Sequence, residues 1–185
     1  MFLADELYPV LNLEELEQRV VVLTKPLADF YRENALVCLS NQQHSTGCPM
    51  LARFNDESYG FVLRWAGKVD ARMERCYRDL VQATEYAACA IGLLLVENLT
   101  EFVGVEQAAR GTTVDYYLAY KDDDDDLPFN HAARLEVTGI LAETDHNTIQ
   151  KRITAKKRRH KPEQDLPTLV VVVEFGEPKA VLEEI

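Results

Sequence analysis

The chain has 185 residues, of which 47% are hydrophobic and 28% charged, a composition that suits one soluble domain of ordinary size with a proper core. The formal net charge of −11 argues against a protein that coats nucleic acid indiscriminately. The first residues, MFLADELYPV, lack the basic lead of a signal peptide, and no uncharged apolar run approaches the roughly 20 residues that span a bilayer, so we expect a cytoplasmic protein without a membrane partner.

The N-terminal region, residues 1–66, is predicted to be an extension made of helices and a β-meander. An apolar stripe predicts a helix over residues 11–23 with Asn12 as its cap, and a short second helix is expected at residues 27–34. Three strands are predicted after it, at residues 35–40, 50–54 and 59–65.

Residues 67–185 are predicted to form a core domain. A long helix over residues 68–98 keeps an apolar stripe at the helical period and loses all charge after Glu85. The elements expected after it are strands at 100–108, 112–120 and 132–141, a helix at 147–159 and a continuous apolar strand at 166–175. The acidic run 122–126 is interpreted as a solvated hairpin tip and the tail 176–185 as peripheral. This order predicts an α/β fold with a mixed central sheet flanked by helices.

Two carboxylates stand inside the second and third of these predicted strands. Asp115 lies in the run GTTVDYYL and Glu136 in the run ARLEVTGI. A charged residue inside an apolar strand is costly to bury unless it is paired or binds a metal. Two of them on consecutive strands therefore suggest a divalent-cation site. The alternative is structural, with Asp115 paired to Arg134 beside a turn and Glu136 facing solvent.

This order of elements, with Asp115 followed by Glu136 and Thr138 two residues later, resembles the core of the PD-(D/E)xK nuclease superfamily, which includes restriction endonucleases and Holliday-junction resolvases. The resemblance covers about residues 68–175 and implies a restriction-endonuclease-like α-β-β-β-α-β core. It also implies a Mg²⁺ or Mn²⁺ site held by Asp115 and Glu136, with Glu85 of the long helix as an optional third ligand. Metal-held carboxylates activate water and stabilise charge on phosphate oxygens.

Thr138 stands where that superfamily usually has a lysine, and threonine offers a hydroxyl without charge. The resemblance implies that the missing cation comes from the following helix, where Lys151 and Arg152 are candidates and Gln150 can position water or phosphate. Arg134, on the predicted face of Glu136, is another candidate.

A basic run interrupts the acidic composition. Residues 151–161 read KRITAKKRRHK, with seven of the 20 Lys/Arg residues and no acid. One basic patch on an acidic body is typical of a surface that binds phosphate or an acidic protein. The residues that we assign to nucleic-acid binding are Lys151, Arg152, Lys156, Lys157, Arg158 and Arg159. The structural alternative is an ordinary solvated helix end.

Two functions remain open at this point. The first is a metal-dependent nuclease, or a nuclease-like subunit that acts with a partner, with roles in nucleic-acid processing or defence that follow by fold analogy alone. The second is a catalytically inactive protein of the same fold that binds nucleic acid or a protein partner. We expect DNA or RNA as the partner in the first case, with a protein or a second copy of this chain as further options.

Overall fold

The computed structural model describes residues 8–109, 111–122, 130–159 and 166–185. Within these residues the chain is an α/β protein built on one mixed sheet of eight strands. The strands are β1 (Val10–Asn12), β2 (Cys48–Phe54), β3 (Glu57–Arg64), β4 (Phe102–Gln107), β5 (Tyr116–Tyr120), β6 (Ala133–Ile140), β7 (Thr168–Glu174) and β8 (Lys179–Glu184). The helices are α1 (Leu16–Arg19), α2 (Lys25–Asn41), α3 (Ala71–Cys76), α4 (Leu80–Leu99) and α5 (Ile149–Arg159).

The strands lie in the order β1-β3-β2-β8-β7-β6-β5-β4. Helices α2 and α4 belong to the main hydrophobic core on one side of the sheet. Helix α5 packs on the other side, where Ile149 and Ile153 meet Val170 and Val172 of β7. The predicted α/β class with a mixed sheet flanked by helices is therefore confirmed.

The N-terminal region differs from the prediction in its helices. The predicted helix over residues 11–23 is reduced to a 3-10 turn, Leu13–Glu15, and the single turn of α1. Asn12 does cap this segment, because its side-chain oxygen accepts a hydrogen bond from the Glu14 N–H at 3.2 Å. The residues before it form β1, which pairs in parallel with β3.

Helix α2 replaces both the short helix predicted at 27–34 and the strand predicted at 35–40, so that strand prediction was wrong. The run ALVCLS is continuously apolar up to Ser40, and residues 35–39 are all buried. A short apolar run fits a buried helix as well as a strand, and periodicity cannot separate the two. The two other predicted strands of this region are present as the β2–β3 hairpin.

The long helix predicted at residues 68–98 is divided in two. Asp70 caps α3, and Asp79 caps α4 by accepting hydrogen bonds from the N–H groups of Val81 and Gln82. By length and composition alone, helix α4 is long and apolar enough to cross a membrane. About 61% of its most apolar stretch, however, is buried inside the protein. A mostly buried helix of this kind is what the core of a soluble protein also contains.

The tail was predicted to be peripheral, and this prediction was wrong. Residues 179–184 form β8, which lies between β2 and β7 in the middle of the sheet. Ala180 and Leu182 are buried in the main core. Strand pairing through β8 thus joins residues of the predicted N-terminal extension, 1–66, to those of the predicted core domain, 67–185. The predicted acidic hairpin tip lies largely outside the described residues, as does the end of the basic run from residue 160.

Candidate functional site

Asp115 lies just before β5 rather than in the middle of a strand. Its backbone N–H donates to the Leu135 carbonyl oxygen at 2.9 Å, and its own carbonyl accepts from the Ala108 N–H at 2.9 Å. Its side-chain Oδ2 accepts a third hydrogen bond, from the Val137 N–H at 2.7 Å. The carboxylate is therefore fixed against β6 at the point where that strand carries Glu136.

Glu136 points from β6 toward α5. Its neighbour Val137 faces the opposite side of the sheet, where it approaches Gly92 of α4, as strand alternation requires. The Glu136 carboxylate forms an ion pair with Lys156 of α5, with Oε2 and Nζ 2.6 Å apart. Both side chains are largely buried, at 12% and 23% exposure.

Helix α5 delivers Lys156 because of its own apolar stripe. Ile149 and Ile153 are buried against the sheet, and Lys156 follows Ile153 at helical i+3 spacing, on the edge of the same face. The helix begins after Thr148, whose Oγ1 accepts from the Lys151 N–H, while Glu143 accepts from the Ile149 N–H at 2.6 Å. The packing of Ile149 and Ile153 against the sheet therefore sets the position of the Lys156 ammonium group.

Asp115 and Lys156 line a cleft of about 430 Å³, called the acidic cleft below, whereas Glu136 is linked to it through its ion pair with Lys156. It lies between α4 and the segments that lead into β5. The lining residues are Tyr31, Glu85, Tyr86, Cys89, Gln107, Ala108, Ala109, Gly111, Thr112, Val114, Asp115, Tyr116, Val137, Thr138 and Lys156. Glu85 and Thr138, both selected from the sequence, thus share one cleft with Asp115 and Lys156.

The environment of Asp115 raises the pKa of its carboxyl group. Although the residue as a whole is exposed, burial of the carboxyl group in the cleft is the main cause, and the nearby charge of Glu136 adds to it. The Val137 N–H and the Lys156 ammonium act in the opposite direction without cancelling the effect. Asp115, Glu136 and Lys156 therefore form one electrostatically coupled group.

The floor of the acidic cleft is a hydrogen-bonded set of phenols and a thiol. The hydroxyl oxygens of Tyr31 and Tyr116 are 2.7 Å apart, and Tyr116 is also hydrogen-bonded to Cys89. Burial raises the pKa of Tyr31 and of Cys89 to about 12, and it also raises the pKa of Tyr116. At neutral pH all three groups are protonated and neutral, and the Cys89 thiol is unreactive.

The other predicted cation donors lie outside the cleft lining. Lys151 donates through Nζ to the Asp145 carbonyl oxygen, and Arg152 donates through Nε to Asn147 Oδ1 at 2.7 Å. Gln150 is exposed, and Arg134 is partly buried in β6. Lys156, which the sequence assigned only to phosphate binding, is the residue that reaches Glu136.

The remaining predicted phosphate-binding residues lie along α5. Lys157 forms an ion pair with Glu183 of β8, with 2.6 Å between Nζ and Oε2. Lys151, Arg152, Arg158 and Arg159 are exposed. The basic surface of α5 is thus continuous with the acidic cleft through Lys156, although two of its lysines are engaged by acids of the sheet.

The described part of the chain contains no cluster of three or more His, Cys, Asp or Glu side chains arranged to hold a metal ion. Glu85 therefore borders the same cleft as Asp115 without completing a three-carboxylate group. The donors that are present still suit Mg²⁺, because this ion commonly uses one or two carboxylates and takes its other ligands from water and substrate phosphates.

Comparisons of the chain with models of protein families, with curated proteins and with solved structures gave no match.

Among the cleft residues that sequence reasoning missed are Tyr31, Tyr86, Cys89 and Tyr116. Three of them, Tyr31, Tyr86 and Cys89, belong to helices α2 and α4, where the sequence analysis assigned no functional residue except Glu85. The available signal was the concentration of tyrosine near Asp115 and Glu85, in Asp115-Tyr116 and Glu85-Tyr86. Which of these phenols meet depends on the packing of α2 against α4.

Proposed function

We propose that this protein is a metal-dependent phosphodiesterase that acts on nucleic acid. The observation that carries the proposal is that Asp115 and Lys156 line one cleft, while Glu136 is ion-paired to the same Lys156. Two carboxylates from adjacent chain segments and one ammonium group from the following helix are the groups that phosphodiester hydrolysis requires. The raised pKa of Asp115 supports the proposal, since perturbed carboxyl groups in clefts are frequent at functional sites.

The order of elements supports a finer interpretation of the fold. Helix α4 is followed by the antiparallel strands β4, β5 and β6, and α5 then connects β6 to the parallel strand β7. This is the α-β-β-β-α-β order of the restriction-endonuclease-like core, with the two acids at its second and third strands. We propose that the chain carries this core, with β8 and the N-terminal strands added at its β7 edge.

The roles of the residues follow from their chemistry. Asp115 and Glu136 would hold Mg²⁺ or Mn²⁺, and the bound ion would lower the pKa of a water molecule and offset phosphate charge. Lys156 is the cation that replaces the lysine missing at Thr138, and its ammonium group can bind a phosphate oxygen. Thr138 contributes a hydroxyl to the same cleft wall. Helix α5 would track the neighbouring phosphates with its exposed basic side chains.

The test is cleavage of plasmid, linear duplex DNA, single-stranded DNA and RNA by the purified protein with Mg²⁺ or Mn²⁺. We expect cleavage that EDTA abolishes and that Asp115→Asn, Glu136→Gln and Lys156→Gln reduce by two orders of magnitude or more. Lys157→Gln is the matched control, because it removes the adjacent lysine of the same helix, whose partner is Glu183. Equal losses in the Lys156 and Lys157 variants would contradict the assigned role of Lys156.

A second candidate is a catalytically inactive binding protein of the same fold. The ion pair between Glu136 and Lys156 favours it, because this pair neutralises one of the two acids within the protein itself. This candidate predicts binding without cleavage, through α5, and binding that Asp115→Asn leaves unchanged. The four cysteines are all free, which agrees with the cytoplasmic location that we propose in either case.

A further inference from the structure

A cluster of aromatic rings borders the acidic cleft on the side of α2 and α4. Tyr86 stacks on Tyr31 with ring centroids 5.8 Å apart and an interplanar angle of 18°. Phe30 packs edge-on against Tyr86 at 4.8 Å and also contacts Tyr77 at 6.2 Å. Tyr31 is completely enclosed, whereas Tyr86 is partly exposed and lines the cleft. Tyr86 is thus the partly exposed member of this cluster that lines the cleft, and the rings of Tyr31 and Phe30 pack against it.

Tyr86 lies next to the residues that carry the proposed chemistry. It follows Glu85 in α4, and both line the same cleft as Asp115 and Lys156. Its ring is held by two aromatic neighbours, so little conformational entropy remains to be lost when a ligand stacks on it. The thiol and phenols of the cleft floor are already hydrogen-bonded to one another. The lining therefore offers a ligand the partly exposed ring of Tyr86 in the same cleft as the Lys156 ammonium group.

The volume of the cleft favours a substrate that can place one unstacked nucleotide in it. A cavity of about 430 Å³ falls in the range that holds a ligand of small-molecule size. One nucleotide with its base turned outward belongs to this class. In a duplex the faces of the bases are stacked on one another, so a ring at the cleft wall has nothing to stack on unless a base is unpaired.

We infer that Tyr86 is the stacking residue of a subsite for an unpaired nucleobase, which makes single-stranded nucleic acid the substrate class. This inference rests on the proposed function, because it places the phosphate next to that base at Asp115, Glu136 and Lys156. The aromatic ring binds the base, and Lys156 binds the adjacent phosphate oxygen.

The experiment measures binding by fluorescence anisotropy, with a short labelled single strand, the same strand containing an abasic position at its centre, and the matching duplex. DNA and RNA strands form separate arms, and each titration is made with Mg²⁺ and with EDTA. The variants are Tyr86→Leu, which removes the ring, and Tyr86→Phe, which keeps it and shows whether any loss comes from the ring or from misfolding. Tyr120→Leu is the control, since Tyr120 is an exposed tyrosine at the far end of β5.

We expect the intact single strand to bind more tightly than both the abasic strand and the duplex. Stacking of one base on an aromatic side chain corresponds to roughly a 5- to 150-fold change in Kd, so Tyr86→Leu should weaken single-strand binding by a factor in this range and remove the preference over the abasic strand. Tyr86→Phe and Tyr120→Leu should retain both. Equal binding of intact and abasic strands by the unmodified protein would overturn the inference, as would an unchanged preference in Tyr86→Leu.

The outcome separates this inference from the proposed function. Ring-dependent single-strand binding in a protein that cleaves nothing would reject the phosphodiesterase and retain the base subsite. Metal-dependent cleavage without any effect of Tyr86→Leu on Kd or KM would retain the phosphodiesterase and reject the subsite.

Discussion

Replacing Glu136 by glutamine is expected to lower the free energy of unfolding. The substitution keeps the shape of the side chain but leaves the Lys156 ammonium without its carboxylate, in a position where only 23% of the lysine side chain is exposed. Exposed ion pairs contribute roughly 0.2–1 kcal/mol, and breaking a fully buried pair costs roughly 3–5 kcal/mol. This pair is intermediate in burial and coupled to Asp115, so we expect a loss of about 1–2 kcal/mol.

The assay is urea unfolding at neutral pH, supported by thermal melting, in which a loss of this size corresponds to a decrease in Tm of about 2–8 °C. A double-mutant cycle with Lys156→Met isolates the interaction, and we expect a coupling energy of about 1 kcal/mol. Lys157→Met is the control, because its ion pair with Glu183 involves a lysine that is 51% exposed. A coupling energy below about 0.3 kcal/mol would refute the role of this pair in stability.

Three further predictions concern Asp115 and the packing of the sheet. Asp115→Asn should raise stability at neutral pH, because burial raises the pKa of the Asp115 carboxyl in the folded protein. This advantage should shrink as the pH falls through the raised folded pKa toward the unfolded value, and a difference in urea midpoint between the variant and the unmodified protein that does not depend on pH would contradict it. Gly139→Ala should destabilise the protein by about 3 kcal/mol in urea unfolding, because its Cβ would lie 2.3 Å from the backbone oxygen of Thr84. Deletion of residues 179–185 should abolish cooperative thermal unfolding, because β8 joins β2 to β7, and a truncated protein with a sharp melting transition would show that the strand is dispensable.

The residues of the candidate site were partly predictable from local patterns. Asp115 and Glu136 were selected because each interrupts an apolar run, and the structure brings the first into the acidic cleft and the second against Lys156. Side-chain alternation along β6 places Glu136 and Val137 on opposite faces of the sheet. The choice of Lys156 among the basic residues of α5 was not predictable in the same way, because it depends on the rotation of the helix that Ile149 and Ile153 impose.

The sequence by itself determined the apolar spacing of β6 and α5, which alternates in the strand and follows the helical period in the helix, and it determined the continuous apolar run of β7. It also determined which side chains interrupt those patterns. The tertiary structure decided two features that such patterns do not contain. Residues 35–39 became helical and the tail became a central strand, because a continuous or short apolar run is compatible with either element until its neighbours are known. The acidic cleft likewise exists only where α2, α4, α5 and the sheet meet, since its groups are far apart in the chain and only packing brings them into contact.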